Sequence, residues 1–190
     1  MKVKTVNIIE QVKRLEERDK SFQLFGSNAH KYRFNQTLSK EEIVQFEMLN
    51  KVELPIEYRE FLLEIGNGGT GPGYGMLKLE DSDPNFDKSF ALLSSDFPYT
   101  GNWEIDQKTY DNFSEQEKGE FAGCLRVCFL GCSHNILLIV TGQDKGTIWY
   151  EGTGSSQGIC PIEIANKKVS FFEWYDSWLI ESLTQLNDFL

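Results

Sequence analysis

Between Leu54 and Leu79 the chain reads LPIEYREFLLEIGNGGTGPGYGMLKL, a short amphipathic run that breaks into a glycine loop and re-emerges as an apolar stretch. Six of the ten residues 66–75 are glycine, and neither a helix nor a regular strand can be carried through such a loop. Leu54 can staple a helix start and Pro55 suits its first turn, where a missing N–H costs nothing. Tyr58, Phe61, Leu62 and Ile65 then recur at helical spacing and predict a buried face. Gly66 is expected to end this helix in a left-handed conformation, and Tyr74–Leu79 to open the strand half of the protein. Nothing in the segment is nucleophilic or basic, so it describes a scaffold.

The elements on either side fit that scaffold. Val6, Ile9, Val12 and Leu15 predict a surface helix over the first twenty residues, and 26–38 reads as a loop. Ser39 and Glu42 have capping-box spacing ahead of Ile43, Phe46 and Leu49. Leu125–Leu130, Ile136–Thr141 and Thr147–Glu151 are β-branched or aromatic runs between glycine turns, with Gln143–Gly146 as a hairpin connection. Ser170 and Glu173 repeat the capping box, and Phe172, Tyr175, Leu179, Leu183 and Leu186 follow on one helical face. Helices first, strands in the middle and a terminal helix give an α+β class with a central, mainly antiparallel sheet. At 190 residues, without repeats or low-complexity tracts, the chain is expected to be one domain over 1–190.

Charge is unevenly spread. Residues 80–120 hold eleven Asp and Glu against three Lys, which is −8 of the formal −10. This window has weak periodicity, yet Phe86, Phe90, Leu92, Leu93, Phe97, Tyr99 and Trp103 argue against disorder. It reads as a folded, loop-rich insertion with one short strand near Ser89–Leu93. Such acidity argues against nucleic acid or an anionic membrane as partner and favours a basic protein. Carboxylates would steer a cationic partner and the interleaved Tyr99, Tyr110 and Trp103 would anchor it. Asp81, Asp83, Asp87, Asp96, Tyr99, Trp103, Glu104 and Asp106 are the candidate contacts. No long apolar run or secretory signal is seen, so a cytoplasmic protein is expected.

Several motifs tempt and fail. Gly66, Gly68 and Gly71 spell G-x-G-x-x-G, but a helix precedes and a strand follows, the reverse of a dinucleotide site. Gly154–Gly158 spells G-x-S-x-G around Ser156, but no helix follows and both histidines, His30 and His134, precede it. Cys132 and His134 could form a thiolate–imidazole pair, against the plainer reading of a turn histidine beside a buried cysteine. Cys124, Cys128 and Cys132 are four residues apart, about 13 Å along a strand at ~3.3 Å per residue, beyond the Cα reach of a disulfide. No C-x-x-C starts a zinc site. The four cysteines read as small buried hydrophobes, with no metal and no cofactor called for.

The scaffold carries a resemblance. LPxxYxxFLLExxNGG followed by GPGYG is similar to the entrance of the SMI1/KNR4 family, also called the SUKH superfamily. Gly131-Cys132 before Ile136–Val140 and Thr141-Gly142 resembles the family's central strand. Lys145–Gly152, KGTIWYEG, resembles its tryptophan-bearing strand, and Ser170–Leu179, SFFEWYDSWL, its terminal helix. The motifs stand in family order over about 39–182, leaving an N-terminal accessory helix. The resemblance implies a non-catalytic bacterial immunity protein that neutralises a cognate toxin, many such toxins being nucleases with basic surfaces. It would act without a cofactor, and as a monomer when free. Fungal members act as regulatory scaffolds and carry long disordered flanks, a second reading. A small-ligand module using Gly71–Gly75 and Trp149-Tyr150 as a pocket is a third.

Overall fold

The structure, a computed structural model, describes residues 2–85, 90–104, 121–155 and 157–188. Helix α1 (Lys2–Arg18) buries Ile8, Val12 and Leu15, one side of the helix, against the C-terminal helix α5 (Phe171–Asp188). A short helix, α2 (Ser27–His30), lies within the stretch expected to be loop. Helix α3 (Lys40–Asn50) starts at a complete capping box. The Ser39 hydroxyl accepts from the Glu42 N–H, and the Glu42 carboxylate accepts from the Ser39 N–H. The second box is present too, with the Ser170 N–H donating to Glu173 at 2.9 Å.

Helix α4 (Ile56–Glu64) buries Tyr58, Phe61 and Leu62, and Ile65 caps it in a right-handed conformation. Gly66 ends the helix as expected but not by the expected means. It does not take a positive φ. Glycine is required there because a Cβ would stand 2.8 Å from the Asn35 carbonyl oxygen. The left-handed demand falls later, at Gly69, where φ is 111° and a Cβ would meet the Arg33 oxygen at 2.4 Å.

The main sheet is antiparallel, in the order β1 (Cys124–Gly131), β2 (His134–Ile139), β3 (Ile148–Glu151), β4 (Ile159–Pro161). A small hairpin, β5 (Glu163–Ile164) with β6 (Lys167–Lys168), follows. The strand expected at Tyr74–Leu79 is not regular. Met76 makes isolated bridges to Gly69 and Cys128, and Leu79–Asp81 is a turn of 3₁₀ helix. The Tyr74 and Leu77 N–H groups nevertheless donate to Phe129 and Val127, so the glycine loop covers the free edge of β1.

Both sheet faces are buried. One carries Leu125, Val127, Ile136, Leu138 and Ile148 into a core with Tyr58, Phe61, Phe171 and Tyr175 from α4 and α5. The other carries Cys124, Leu137, Ile139, Trp149 and Ile159 under Phe97, with Tyr99, Trp103 and Phe121 packed at its margin. Phe97, Tyr99 and Trp103 of the acidic segment thus form a second layer on the sheet, while its Phe90 and Leu93 pack with the helical core. Over its described residues the expected strand near Ser89–Leu93 is instead a turn, in which the Leu93 N–H donates to Phe90; Ser89 lies outside the described residues. Among the described residues no helix is long and apolar enough to cross a membrane.

Candidate functional site

The eight candidate contacts separate. Asp96 and Glu104 are exposed, and Asp81 is half-buried. Asp87 and Asp106 lie outside the described residues, as do Phe86 and Tyr110. Asp83 is a correction: it is 1% exposed, and its carboxylate accepts from the backbone N–H groups of Asn85 and Phe90. An acidic side chain in a loop can answer its own backbone instead of a partner. Tyr99 and Trp103 are half-buried and lie 5.5 Å apart between ring centroids, with Tyr99 at 5.4 Å from Phe97. Trp103 exchanges two backbone hydrogen bonds with Ile159, both 2.8 Å, and so extends the sheet beyond β4. Its ring is rim and core at once.

Beside this layer lies a cleft that the sequence reading did not find. Its volume is about 390 Å³, and its walls include Arg126 of β1, Asn135 and Leu137 of β2, and Glu151 of β3. The register explains the gathering, because Asn135 pairs with Glu151 and Arg126 with Leu137. Glu151 is 4% exposed and Asn135 8%. Asn135 Nδ2 donates to Glu151 Oε2 at 2.6 Å, while the Thr153 N–H and hydroxyl both donate to Glu151 Oε1. Burial lowers the pKa of Arg126 from its ordinary value, and the carboxylates of Asp83, Glu151 and Asp81 work against that shift. A polar residue in a strand covered on both faces was the available signal.

The geometry also answers the tempting motifs. In the glycine loop the N–H groups of Asn67, Gly69, Thr70 and Gly75 all donate to backbone carbonyls, which leaves them unavailable to a phosphate. His134 Nε2 lies 2.6 Å from the Ser155 hydroxyl, which is also within hydrogen-bond reach of the Gly152 carbonyl. The contact ties the start of β2 to the Thr153–Ser155 turn, and which atom donates follows the imidazole tautomer. Ser156 lies outside the described residues. Cys132 is a second correction. It is exposed, in a two-residue turn with Ser133 where φ is 51° and 62°. Cys124 and Cys128 are buried, and burial pushes both thiols far up; Cys160 is half-buried. No group of three or more His, Cys, Asp or Glu placed to hold a metal occurs among the described residues.

No curated protein and no solved structure matches the chain. A family model does, over residues 37–177, well over half of the 190 residues. It spans the capping box of α3, the glycine loop, the four-stranded sheet and the first turns of α5. The chain belongs to the SMI1 / KNR4 family (SUKH-1).

Proposed function

We propose that this chain is a non-catalytic immunity protein that binds and neutralises a basic, nuclease-type toxin through its acidic layer. The family includes immunity proteins, which supplies the class. The observation that carries the reading is the concentration of −8 of the −10 formal charges in residues 80–120, of which Phe97, Tyr99 and Trp103 pack over one face of the sheet. An acidic surface can occupy the phosphate-reading face of a nuclease and block it without turnover. Asp96 and Glu104 supply exposed charge, Asp81 adds to it from a half-buried position, and Tyr99 and Trp103 offer partly exposed ring edges. The resulting field speeds encounter, and added salt screens it.

The test uses the tagged full chain against toxin domains encoded beside its gene, at low and high salt. Tight capture of one basic domain, loss of that domain's activity in the complex, and weaker association at high salt are expected. A domain that is captured but keeps its activity would overturn neutralisation. Failure to capture any basic domain at low salt would overturn the partner class.

A further inference from the structure

The cleft on the acidic side of the sheet has a buried carboxylate and an unused acceptor on the side chains of its wall. Asp83, Glu151 and Asp81 all act electrostatically on the Arg126 guanidinium. Asp83 and Glu151 are buried, where uncompensated negative charge is costly. Glu151 can only accept, so its bond from Asn135 fixes that amide with Nδ2 toward the carboxylate. Asn135 Oδ1 is then left over. It has no hydrogen-bond partner among the described residues, on a side chain that walls the cleft. A cationic donor would satisfy that acceptor and lie beside the Glu151 carboxylate.

The apolar part of the cleft continues onto the surface. Phe129 belongs to its wall and stacks on Tyr74 at 5.7 Å, and Tyr74 meets Phe25 edge-on at 5.4 Å. Phe25 is 67% exposed and Tyr74 48%. Three rings thus form a ledge from the α2 region to the cleft mouth. Aromatic faces and edges of this kind hold alkyl stems and planar guanidinium groups.

We propose that the cleft seats one arginine or lysine side chain of the basic partner, its charged head toward Glu151 and Asn135 and its stem along Phe129 and Leu137. A volume of about 390 Å³ lies at the small end of the roughly 300–1,000 Å³ range of ligand pockets, in keeping with a side chain rather than a large cofactor. This inference rests on the immunity reading and gives its acidic surface one specific receptor.

The probe is n-propylguanidinium, titrated into the isotope-labelled full chain by NMR, with n-butyrate as the anionic control. Saturable shifts at Phe129, Asn135, Leu137, Glu151 and Thr153 are expected with the cation and not with butyrate. Glu151→Gln should weaken the cation roughly tenfold, as expected for loss of a charged hydrogen-bond partner. Phe129→Ala, at a half-buried position, gives a second variant that leaves the carboxylate network in place. Equal or tighter binding of butyrate would overturn the charge assignment. A basic domain captured and neutralised equally by wild type, Glu151→Gln and Phe129→Ala would overturn the cleft while leaving the immunity reading intact. Cation binding with no basic domain captured would overturn the partner assignment and make the cleft a site for a free small cation.

Discussion

The two faces of the sheet are covered by layers of opposite character. On one side, Tyr58 and Phe61 of α4 meet Phe171 and Tyr175 of α5 with ring centroids 5.2–5.6 Å apart in three of the pairings, and all four side chains are fully buried. Buried hydrogen bonds lock this layer to the glycine loop, such as that from the Tyr175 hydroxyl to the Thr70 carbonyl. On the other side, a smaller core around Phe97 and Trp149 is flanked by the half-buried Tyr99 and Trp103 of the acidic segment. That segment is tied down by the Trp103–Ile159 bridge, by the Phe97 N–H donating to Thr141 and the Thr141 hydroxyl donating to Leu93, and by Lys168, which donates to Thr100 and Asp144 while lying 5.0 Å over the Trp149 ring. The comparison teaches that one layer holds the fold while the other presents the exposed carboxylates of Asp96 and Glu104, so damage to each should be read by a different assay.

The largest expected effect lies in the helical layer. Phe61→Ala removes a fully buried ring that touches Tyr58, Phe171 and Tyr175, and should cost about 3–5 kcal/mol in urea unfolding. Phe97→Ala deletes the same ring from the thinner layer, where the residue is 7% exposed and its surroundings can relax. It should cost no more than the lower end of that range, about 3 kcal/mol. Equal losses would erase the distinction between the layers.

Next comes a pH effect, also on the helical side. Burial lowers the His30 pKa to about 4 from 6.5, partly opposed by the Asp19 carboxylate. Its Nδ1 accepts from the Tyr32 N–H at 3.1 Å, a bond that protonation of Nδ1 would break. The folded chain therefore binds this proton less readily than the unfolded one. Stability from this group is full above pH 6.5, falls as pH drops toward 4, and is constant below. Applying about 1.4 kcal/mol per pKa unit, the loss reaches at most about 3 kcal/mol. Urea midpoints between pH 7 and 4 should show this slope in wild type and a flatter one in His30→Gln. Parallel slopes would place the sensitivity elsewhere.

The helical layer was also the more legible in sequence, for a physical reason. Its signals are local: a Ser and a Glu three apart make a cap whether or not the rest is folded. Both boxes, Ser39 with Glu42 and Ser170 with Glu173, form as read. Removing one is a modest perturbation. Ser39→Ala should cost about 1 kcal/mol by urea titration, and an effect above that of Phe97→Ala would mean the cap organises more than its own helix. The acidic side depends on non-local placement. Whether Asp83 faces solvent depends on the N–H groups of Asn85 and Phe90. Arg126, Asn135 and Glu151 meet only through the register of three strands. Tyr74–Leu79 has strand-like composition, yet its pairing is confined to single bridges because the glycine loop turns it along the edge of β1. Cys132 is exposed because the β1–β2 connection needs two residues in the left-handed region, a demand that composition does not reveal.

The smallest expected effect on stability carries the most functional information. Asp96 and Glu104 are exposed, so Asp96→Lys with Glu104→Lys should change unfolding free energy by less than about 0.5 kcal/mol per site. The same pair moves the formal charge from −10 to −6, and does so on the layer proposed to steer a basic partner. Stopped-flow association with the captured domain should slow several-fold at low salt, with the dissociation rate little changed. Wild type and variant should converge as salt rises and the field is screened within a few ångströms. An unchanged association rate would remove this layer from the steering surface, even if neutralisation itself held. A marked loss of stability would instead show that these carboxylates belong to the fold, and the division between a structural and a charged layer would fail at the residues where it is most exposed to test.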